Sequence, residues 1–230
     1  MVTNAVPGFL PSRHGLRFTN YWGSGPARQW SLGMLHIGIG NPARGLCGGM
    51  AYLVRDRFEL GNEAPAEGAP PAFGTSLFRA IVDRQFDSFG RLWTVPLRFW
   101  IASALLGDRR RMRESVREAW PKVRADIDAG RLSPLGLVRE AAWNILATGM
   151  GHQVLAYRYD VAPKRIVIGI YDPNHPGNDT VEIVLEQEHG GEIHLSQSTG
   201  EVCLGLLHLP YVPPRKVAPA PEPASAPPTS

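Results

Sequence analysis

The stretch GLCGGM, residues 45–50, places Cys47 directly before AYLVRDRF (51–58), a segment with the apolar spacing of a helix. At a helix start, unpaired N–H groups and aligned peptide dipoles favour a negatively charged sulfur. The neighbouring glycines carry no side chains that would crowd this sulfur; they are Gly45, Gly48 and Gly49. Cys47 is therefore a candidate nucleophile. The alternative is an inert, buried cysteine that packs a helix start.

The apolar pattern is helical from Gly45 to about Ile127 and changes after Ser133. Beyond that point, short apolar or alternating runs are separated by Gly, Pro, Asp and Asn, which is typical of strands. These runs are PLGLV, HQVLAYRY, RIVIGIY, TVEIVL, EIHL and CLGLLHL. Helices followed by strands predict an α+β fold. We expect a mainly helical lobe at about 15–132, a mainly β lobe at about 133–211, and a cleft between them.

The last stretch of the chain, VPPRKVAPAPEPASAPPTS from Val212 onward, contains almost no large apolar residues. A segment of this composition buries too little surface to order itself. We therefore predict a disordered tail at 212–230, after a single domain at 1–211.

Composition argues against several classes of partner. The net charge is +3, from 24 basic and 21 acidic residues that are mostly interspersed, so nucleic acid is not an expected partner. A short basic run between helical segments is expected to be solvated; it comprises Arg109, Arg110, Arg111 and Arg113. No HExxH motif, zinc-ligand spacing or phosphate-binding glycine loop occurs, so neither a metal nor a cofactor is expected.

Two cysteines in a chain of this length do not suggest a disulfide framework, so free thiols are expected. The N-terminal sequence lacks the basic start and apolar run of a secretory signal, and no run approaches the roughly 18 apolar residues of a membrane span. A cytoplasmic protein without a membrane partner is the default expectation. Export by a route that needs no cleaved signal stays open.

A general base for Cys47 is best sought at His152, where a small-residue loop runs into the segment HQVLAYRY. This segment and RIVIGIYD form a predicted hairpin. Pairing Tyr159 with Arg165 in an antiparallel register places His152 opposite Asp172, because both pairs have the same sum of residue numbers. Directly opposed side chains share a face, with Cβ atoms roughly 4.5–5.5 Å apart. Asp172 could then orient the imidazole, although it could instead only start the turn DPNHPGND.

With Cys47, His152 and Asp172 in this order, the sequence resembles the papain-like cysteine peptidase superfamily. It is most similar to the bacterial branch that includes peptidases cleaving double-glycine leader peptides. GLCGGM, GHQVLAYRYD and IYDPNHPG carry the resemblance. It implies a papain-like domain, a helical lobe led by the nucleophile helix, a β-barrel-like lobe that carries the histidine and the acid, and a catalytic triad.

The resemblance also implies an oxyanion site. An amide side chain, usually Gln, lies six residues before the cysteine in this superfamily, and here that position is Asn41. Asn is one methylene shorter, and Pro42 follows it. The backbone N–H of Cys47 would be the second donor. The superfamily uses either an acid or an amide as third member, so Asn174 is the alternative to Asp172.

These observations predict a thiol hydrolase that cleaves a peptide or amide bond of a peptide or protein substrate through an acyl-enzyme. Two alternatives stay open. The same triad serves acyl transfer or deamidation when an amine or glutamine is the reactant. A catalytically silent papain-like module could also bind a peptide or protein, with the aromatic segment FTNYW (18–22) as a possible contact surface.

Overall fold

A mixed α+β architecture is formed, with helices packed against an antiparallel sheet. The predicted α+β class is confirmed. The division into one domain at 1–211 stays a prediction. Of the predicted tail at 212–230, the residues after Pro214 lie outside the described residues. The computed structural model describes residues 1–22, 28–32, 35–39, 45–90, 94–141, 151–188 and 190–214, with the backbone alone for 28–32 and 35–39.

Most helices lie between Cys47 and Asp128, in the part of the chain with helical apolar spacing. They are α1 (Pro11–His14), α2 (Cys47–Glu59), α3 (Ser76–Ser88), α4 (Thr94–Trp100), α5 (Asp108–Glu114) and α6 (Trp120–Asp128). Single π-helical segments follow α4 and α5, at Ile101–Leu105 and Ser115–Ala119. No helix in these described parts of the chain is long and apolar enough to cross a membrane.

Local signals explain where two of these helices begin or end. The Thr75 hydroxyl caps α3 by accepting the N–H of Phe78 at 3.3 Å. Pro121 is the second residue of α6, which follows directly on the π-helical segment Ser115–Ala119. Gly130 follows the end of α6 with a φ of 71°, a left-handed conformation that glycine adopts without strain.

The strands are β1 (Val2–Ala5), β2 (Arg28–Leu32), β3 (Leu35–Ile39), β4 (Ser133–Val138), β5 (His152–Ala162), β6 (Arg165–Tyr171), β7 (Glu182–Gln187), β8 (Ile193–Gln197) and β9 (Gly205–His208). The main sheet is antiparallel, in the order β8-β7-β6-β5-β4-β9. β4 pairs with the first half of β5, and β1 pairs with the second half along the same edge. β2 and β3 form a separate hairpin.

All six strand segments predicted after Ser133 are confirmed as β4 to β9. β1 and the β2–β3 hairpin were not predicted. β1 has four exposed residues, so its sequence lacks the alternation that identifies a half-buried strand. Its position is set by pairing with distant residues, from Val2 opposite Val161 to Ala5 opposite Arg158.

One buried apolar cluster joins the helices to the sheet, and α2 packs directly on β5. It includes Met50 from α2, Ile81 from α3, Val123 from α6, Leu155 from β5 and Ile168 from β6. Burial of such side chains is the main favourable contribution to folding. The helix that begins with Cys47 is therefore held against the strand that begins with His152.

The aromatic segment 18–22 belongs largely to this core. Phe18 and Trp22 are buried and their rings meet edge to face, with centroids 6.1 Å apart. Tyr21, the third aromatic residue of the segment, is 69% exposed. Most of this segment therefore packs the domain, which weakens it as a contact surface for a binding module.

The basic run, Arg109, Arg110, Arg111 and Arg113, was expected to be solvated, but one of its members is buried. Arg111 is buried and donates to the carbonyl oxygens of Ala102 at 3.1 Å and Leu106 at 2.5 Å. These carbonyls lie at the end of the π-helical segment after α4, where helix carbonyls lack intrahelical partners. The other arginines of the run lie on a more exposed face. Arg111 thus has a structural role that the charge pattern did not reveal.

Candidate active site

Cys47 is the first residue of α2, as the sequence predicts. Its own N–H and those of the next residues therefore have no acceptor within the helix. Cys47 is 9% exposed and forms no disulfide. The N–H of Gln153 points at its sulfur over 3.4 Å. The sulfur consequently lies among backbone donors that stabilise a thiolate.

His152 and Asp172 meet beside this sulfur. His152 begins β5, and Asp172 directly follows the last residue of β6. The Nε2 atom of His152 is 2.7 Å from Oδ1 of Asp172, whose side chain is fully buried. The imidazole also forms a side-chain hydrogen bond with Cys47. Since Nε2 faces Asp172, Nδ1 is the nitrogen left for the thiol.

The register from which this contact was predicted is wrong. β5 and β6 are joined by a two-residue turn with Ala162 opposite Arg165, whereas the prediction placed Tyr159 opposite Arg165. A bulge between Ala156 and Arg158 shifts the pairing once more. His152 instead pairs with Leu137 on β4. Asp172 reaches His152 from the segment that leaves β6, not as its cross-strand partner.

The electrostatics favour a thiolate beside a protonated imidazole. Burial opposes ionisation of Cys47, but the hydrogen bond and the charge of His152 outweigh it and lower the pKa of the thiol. Burial also opposes protonation of His152, but Asp172 first and Cys47 second raise the pKa of the imidazole to about 10. Burial would raise the pKa of Asp172, yet His152 lowers it below the ordinary value.

The glycines that follow Cys47 allow close packing between α2 and α3. A Cβ on Gly48 would lie 2.3 Å from Oγ of Ser88, and a Cβ on Gly49 would lie 2.0 Å from the carbonyl oxygen of Ile81. Both positions face α3, whose backbone approaches α2 closely. The glycines are needed because α2 and α3 pack without intervening side chains there.

Asn20 is a residue of the site that the sequence analysis missed. Its Oδ1 accepts the N–H of Leu46 at 2.5 Å, and its Nδ2 donates to Oδ1 of Asn174 at 3.3 Å. Its backbone N–H donates to the carbonyl of Pro173 at 3.0 Å. Asn20 thus ties the residue before Cys47 to the turn after β6. No local motif marks it, since its partners are distant in sequence.

The alternative third member, Asn174, does not occupy the place of Asp172. Its backbone N–H donates to Oδ1 of Asp172 at 2.8 Å, and its side chain contacts Asn20. The structure therefore brings Asp172 to His152 and places Asn174 in support of the carboxylate. Asn41, the predicted oxyanion donor, lies outside the described residues. The N–H of Cys47 is at the helix start, where an oxyanion donor is expected.

Asp172, His175 and Glu201 are close enough for their ligand atoms to lie within 4.8 Å of one another. Such a cluster could in principle hold a cation. However, the guanidinium of Arg139 is 3.3 Å from Glu201 and 3.9 Å from Asp172. Arg139 already supplies a positive charge there, so the cluster gives no support for a metal site.

Comparisons of the chain with protein-family models, curated proteins and solved structures gave no match. The functional interpretation therefore depends on the chain's own residues and their geometry. The feature that needs explaining is a buried thiol bonded to an imidazole that is itself bonded to a buried carboxylate.

Proposed function

We propose that the chain is a cysteine hydrolase of papain-like layout that cleaves a peptide or amide bond through Cys47, His152 and Asp172. One observation carries the proposal: Cys47 is hydrogen-bonded to His152, whose Nε2 is 2.7 Å from the fully buried carboxylate of Asp172. A structural cysteine needs no such partners. A catalytic one does, because the thiolate is the reactive form.

The layout gives further support. The cysteine begins a helix, the histidine begins a strand of an antiparallel sheet, and the acid follows the neighbouring strand. This chain order and these element types are the ones that the papain-like resemblance implies. The N–H of Cys47 is the oxyanion donor that the described residues offer.

In the proposed first step, the thiolate of Cys47 attacks the carbonyl carbon, a C–S bond forms and the carbonyl electron pair moves to oxygen. The N–H of Cys47 stabilises the oxyanion. When the intermediate collapses, the C–N bond breaks and His152 gives its Nδ1 proton to the leaving amine. A thioester, the acyl-enzyme, remains on Cys47.

In the second step, neutral His152 takes a proton from water, whose oxygen attacks the thioester carbon. The C–S bond breaks, the carboxylic acid leaves and the thiolate–imidazolium pair is restored. Asp172 holds the imidazole orientation throughout and stabilises its charged form. An amine in place of water would turn the same reaction into acyl transfer.

The acyl-enzyme can be tested with 4-nitrophenyl acetate, which needs no knowledge of the natural substrate. We expect a burst of nitrophenol and an acetyl group that peptide mass spectrometry maps to Cys47. Cys47→Ala removes both, with a loss of turnover on the order of 10⁴-fold or more, while the matched variant Cys203→Ala keeps them. Equal slow release by the wild type and Cys47→Ala would contradict hydrolysis and favour the silent binding module.

Cleavage itself is tested by incubating each variant with a complex peptide mixture and identifying new termini by mass spectrometry. We expect new termini with the wild type and Cys203→Ala and none with Cys47→Ala. Added amine separates the two chemistries, because a transferase forms amides where a hydrolase forms free acids.

A further inference from the structure

The two oxygens of the Asp172 carboxylate have different partners. Oδ1 faces the candidate site, accepting from Nε2 of His152 at 2.7 Å and from the N–H of Asn174 at 2.8 Å. Oδ2 faces away from it and accepts from Nε2 of Gln197 at 3.1 Å. A carboxylate held at both oxygens cannot rotate. The hydrogen bond from Gln197 to Oδ2 therefore fixes the direction of Oδ1 toward the imidazole.

Gln197 is the last residue of β8, and its side chain is almost completely buried. Its single amide nitrogen also donates to Oε2 of Glu201 at 2.8 Å, so the two amide hydrogens serve two carboxylates. The opposite amide orientation would turn Oε1 toward both carboxylates and is excluded by charge repulsion. Oε1 of Gln197 itself has no partner within the described part of the chain. The amide is thus used as a donor to both acids.

Glu201 fixes the position of Gln197 in turn. Its Oε2 also accepts from Oγ1 of Thr199 at 3.0 Å and lies 3.3 Å from both Arg139 and Nε2 of His175. Burial would raise the pKa of Glu201, but Arg139 first, then His175 and Thr199, lower it. The Glu201 carboxylate that accepts from Gln197 is therefore negatively charged.

The charges around Gln197 fit this arrangement. Asp172 and Glu201 carry negative charges, as does the Cys47 thiolate, and Arg139 and protonated His152 carry positive ones. Arg139 also donates to the carbonyl of Val202 at 2.8 Å, which anchors it to the segment after β8. An amide at position 197 separates two carboxylates without adding charge. An acid there would add a further negative charge between the two carboxylates, and an apolar residue would leave both carboxylates short of a donor.

We propose that Gln197 is a positioning residue that, held by Glu201, orients the Asp172 carboxylate toward His152. This inference rests on the proposed function, because it concerns the same Cys47–His152–Asp172 arrangement. It adds a second carboxylate to the site, one that acts through an amide and does not touch a substrate.

The test is the pH profile of iodoacetamide alkylation at Cys47, measured by peptide mass spectrometry on the full chain. Gln197→Met keeps the side-chain volume and removes the donor. The variant loses the hydrogen bonds to Asp172 and Glu201, and the loss of the one to Asp172 is expected to move the alkylation midpoint of Cys47 upward by about one pH unit. Gln197→Glu is expected to shift the alkylation midpoint of Cys47 by a different amount than Gln197→Met. A negative charge at position 197 favours protonated His152 but also disturbs the Asp172 carboxylate. Gln187→Met, at the exposed end of β7, is the matched control and keeps the wild-type midpoint.

The outcomes separate the two proposals. A low midpoint in the wild type that rises in Gln197→Met supports the inference, because a merely structural role would change stability and leave the midpoint in place. A low wild-type midpoint that both variants at position 197 retain overturns the inference and leaves the proposed function intact. An ordinary midpoint in the wild type overturns both. If Gln197→Met does not fold by circular dichroism, Glu201→Gln tests the same chain of contacts, and an unchanged midpoint there overturns the inference.

Discussion

The two cysteines of this chain differ in pKa although they are almost equally buried. Cys47 is 9% exposed and Cys203 is 7% exposed, and both are free. The thiol of Cys47 has a lowered pKa, whereas burial raises the pKa of Cys203 to about 11, against a smaller opposing effect of Arg139. Burial alone therefore does not determine the pKa of a cysteine thiol, because the groups around the sulfur also contribute.

The neighbours of the two sulfurs explain the difference. Cys47 begins a helix and contacts His152, so a negative sulfur meets backbone N–H groups and a positive imidazole. Cys203 lies just before β9, where burial raises the pKa of its thiol more than Arg139 and the backbone of Gly205 lower it. The surroundings of Cys47 favour a thiolate, and those of Cys203 favour a neutral thiol.

The largest expected effect comes from removing the imidazole. His152→Gln keeps a donor for Asp172 but cannot be positively charged. Burial then acts on Cys47 with little to oppose it, so the alkylation midpoint should rise from well below the ordinary thiol value to about 8.5 or above. Cys47 would come to resemble Cys203. The measurement is the pH profile of alkylation, with His194→Gln on the exposed side of β8 as the matched control.

An unchanged midpoint in His152→Gln would show that the helix start alone activates Cys47. In that case the difference between the cysteines would remain, but its cause would be the helix and not the imidazole. A shift in the control variant of the same size would mean that alkylation reports general loosening of the fold.

A smaller effect is expected from the glycines near the two cysteines. Gly49→Ala places a Cβ 2.0 Å from the carbonyl oxygen of Ile81, so α2 must move from α3. We expect a loss of about 1–3 kcal/mol in the free energy of unfolding. Gly205→Ala places a Cβ 3.5 Å from Cβ of Arg111, an ordinary contact, and is expected to change stability far less. Chemical denaturation of both variants checks the pair, and equal losses would contradict close packing at the nucleophile helix.

The smallest effect is the pH dependence of stability, and its sign differs between the cysteines. Cys203 has a raised pKa, so its contribution is complete below the unfolded value of about 8.5 and is lost as pH rises toward 11. Cys47 has a lowered pKa, so its contribution is complete above about 8.5 and is lost as pH falls through its folded value. Each effect is expected to be at most about 1.4 kcal/mol per pH unit.

This prediction is checked by chemical denaturation of the wild type, Cys47→Ala and Cys203→Ala across the pH range. The stability difference between the wild type and Cys47→Ala should widen as pH rises toward about 8.5. The difference for Cys203→Ala should narrow above that pH. The same trend in both variants would contradict opposite pKa shifts.

The strands after Ser133 and the helical region before them could be predicted, because apolar periodicity is a local property of the sequence. Cys47 at a helix start could be predicted for the same reason. The contact between His152 and Asp172 was predicted from an incorrect register, because neither the two-residue turn between Ala162 and Arg165 nor the bulge beside Tyr157 leaves a clear sequence signal. The proximity of the two residues along the hairpin compensated for that error.

The supporting residues could not be predicted. Asn20, Gln197 and Glu201 reach the site from segments far from Cys47 in sequence, and their types are common on protein surfaces. β1 joins β5 only because the chain folds back over the sheet. The glycines were recognised as important, but their role required the position of α3, which the sequence does not specify.

The most direct test of the central claim is the alkylation of both cysteines in one wild-type sample, from about pH 5 to about pH 9, across the ordinary thiol pKa. Peptide mass spectrometry gives a separate profile for each. We predict that Cys47 reaches its plateau well below pH 8.5, the approximate value for a free thiol, while Cys203 is still rising at the upper end. Profiles that coincide, or a Cys47 midpoint at or above the free-thiol value, would contradict an activated cysteine at the start of α2.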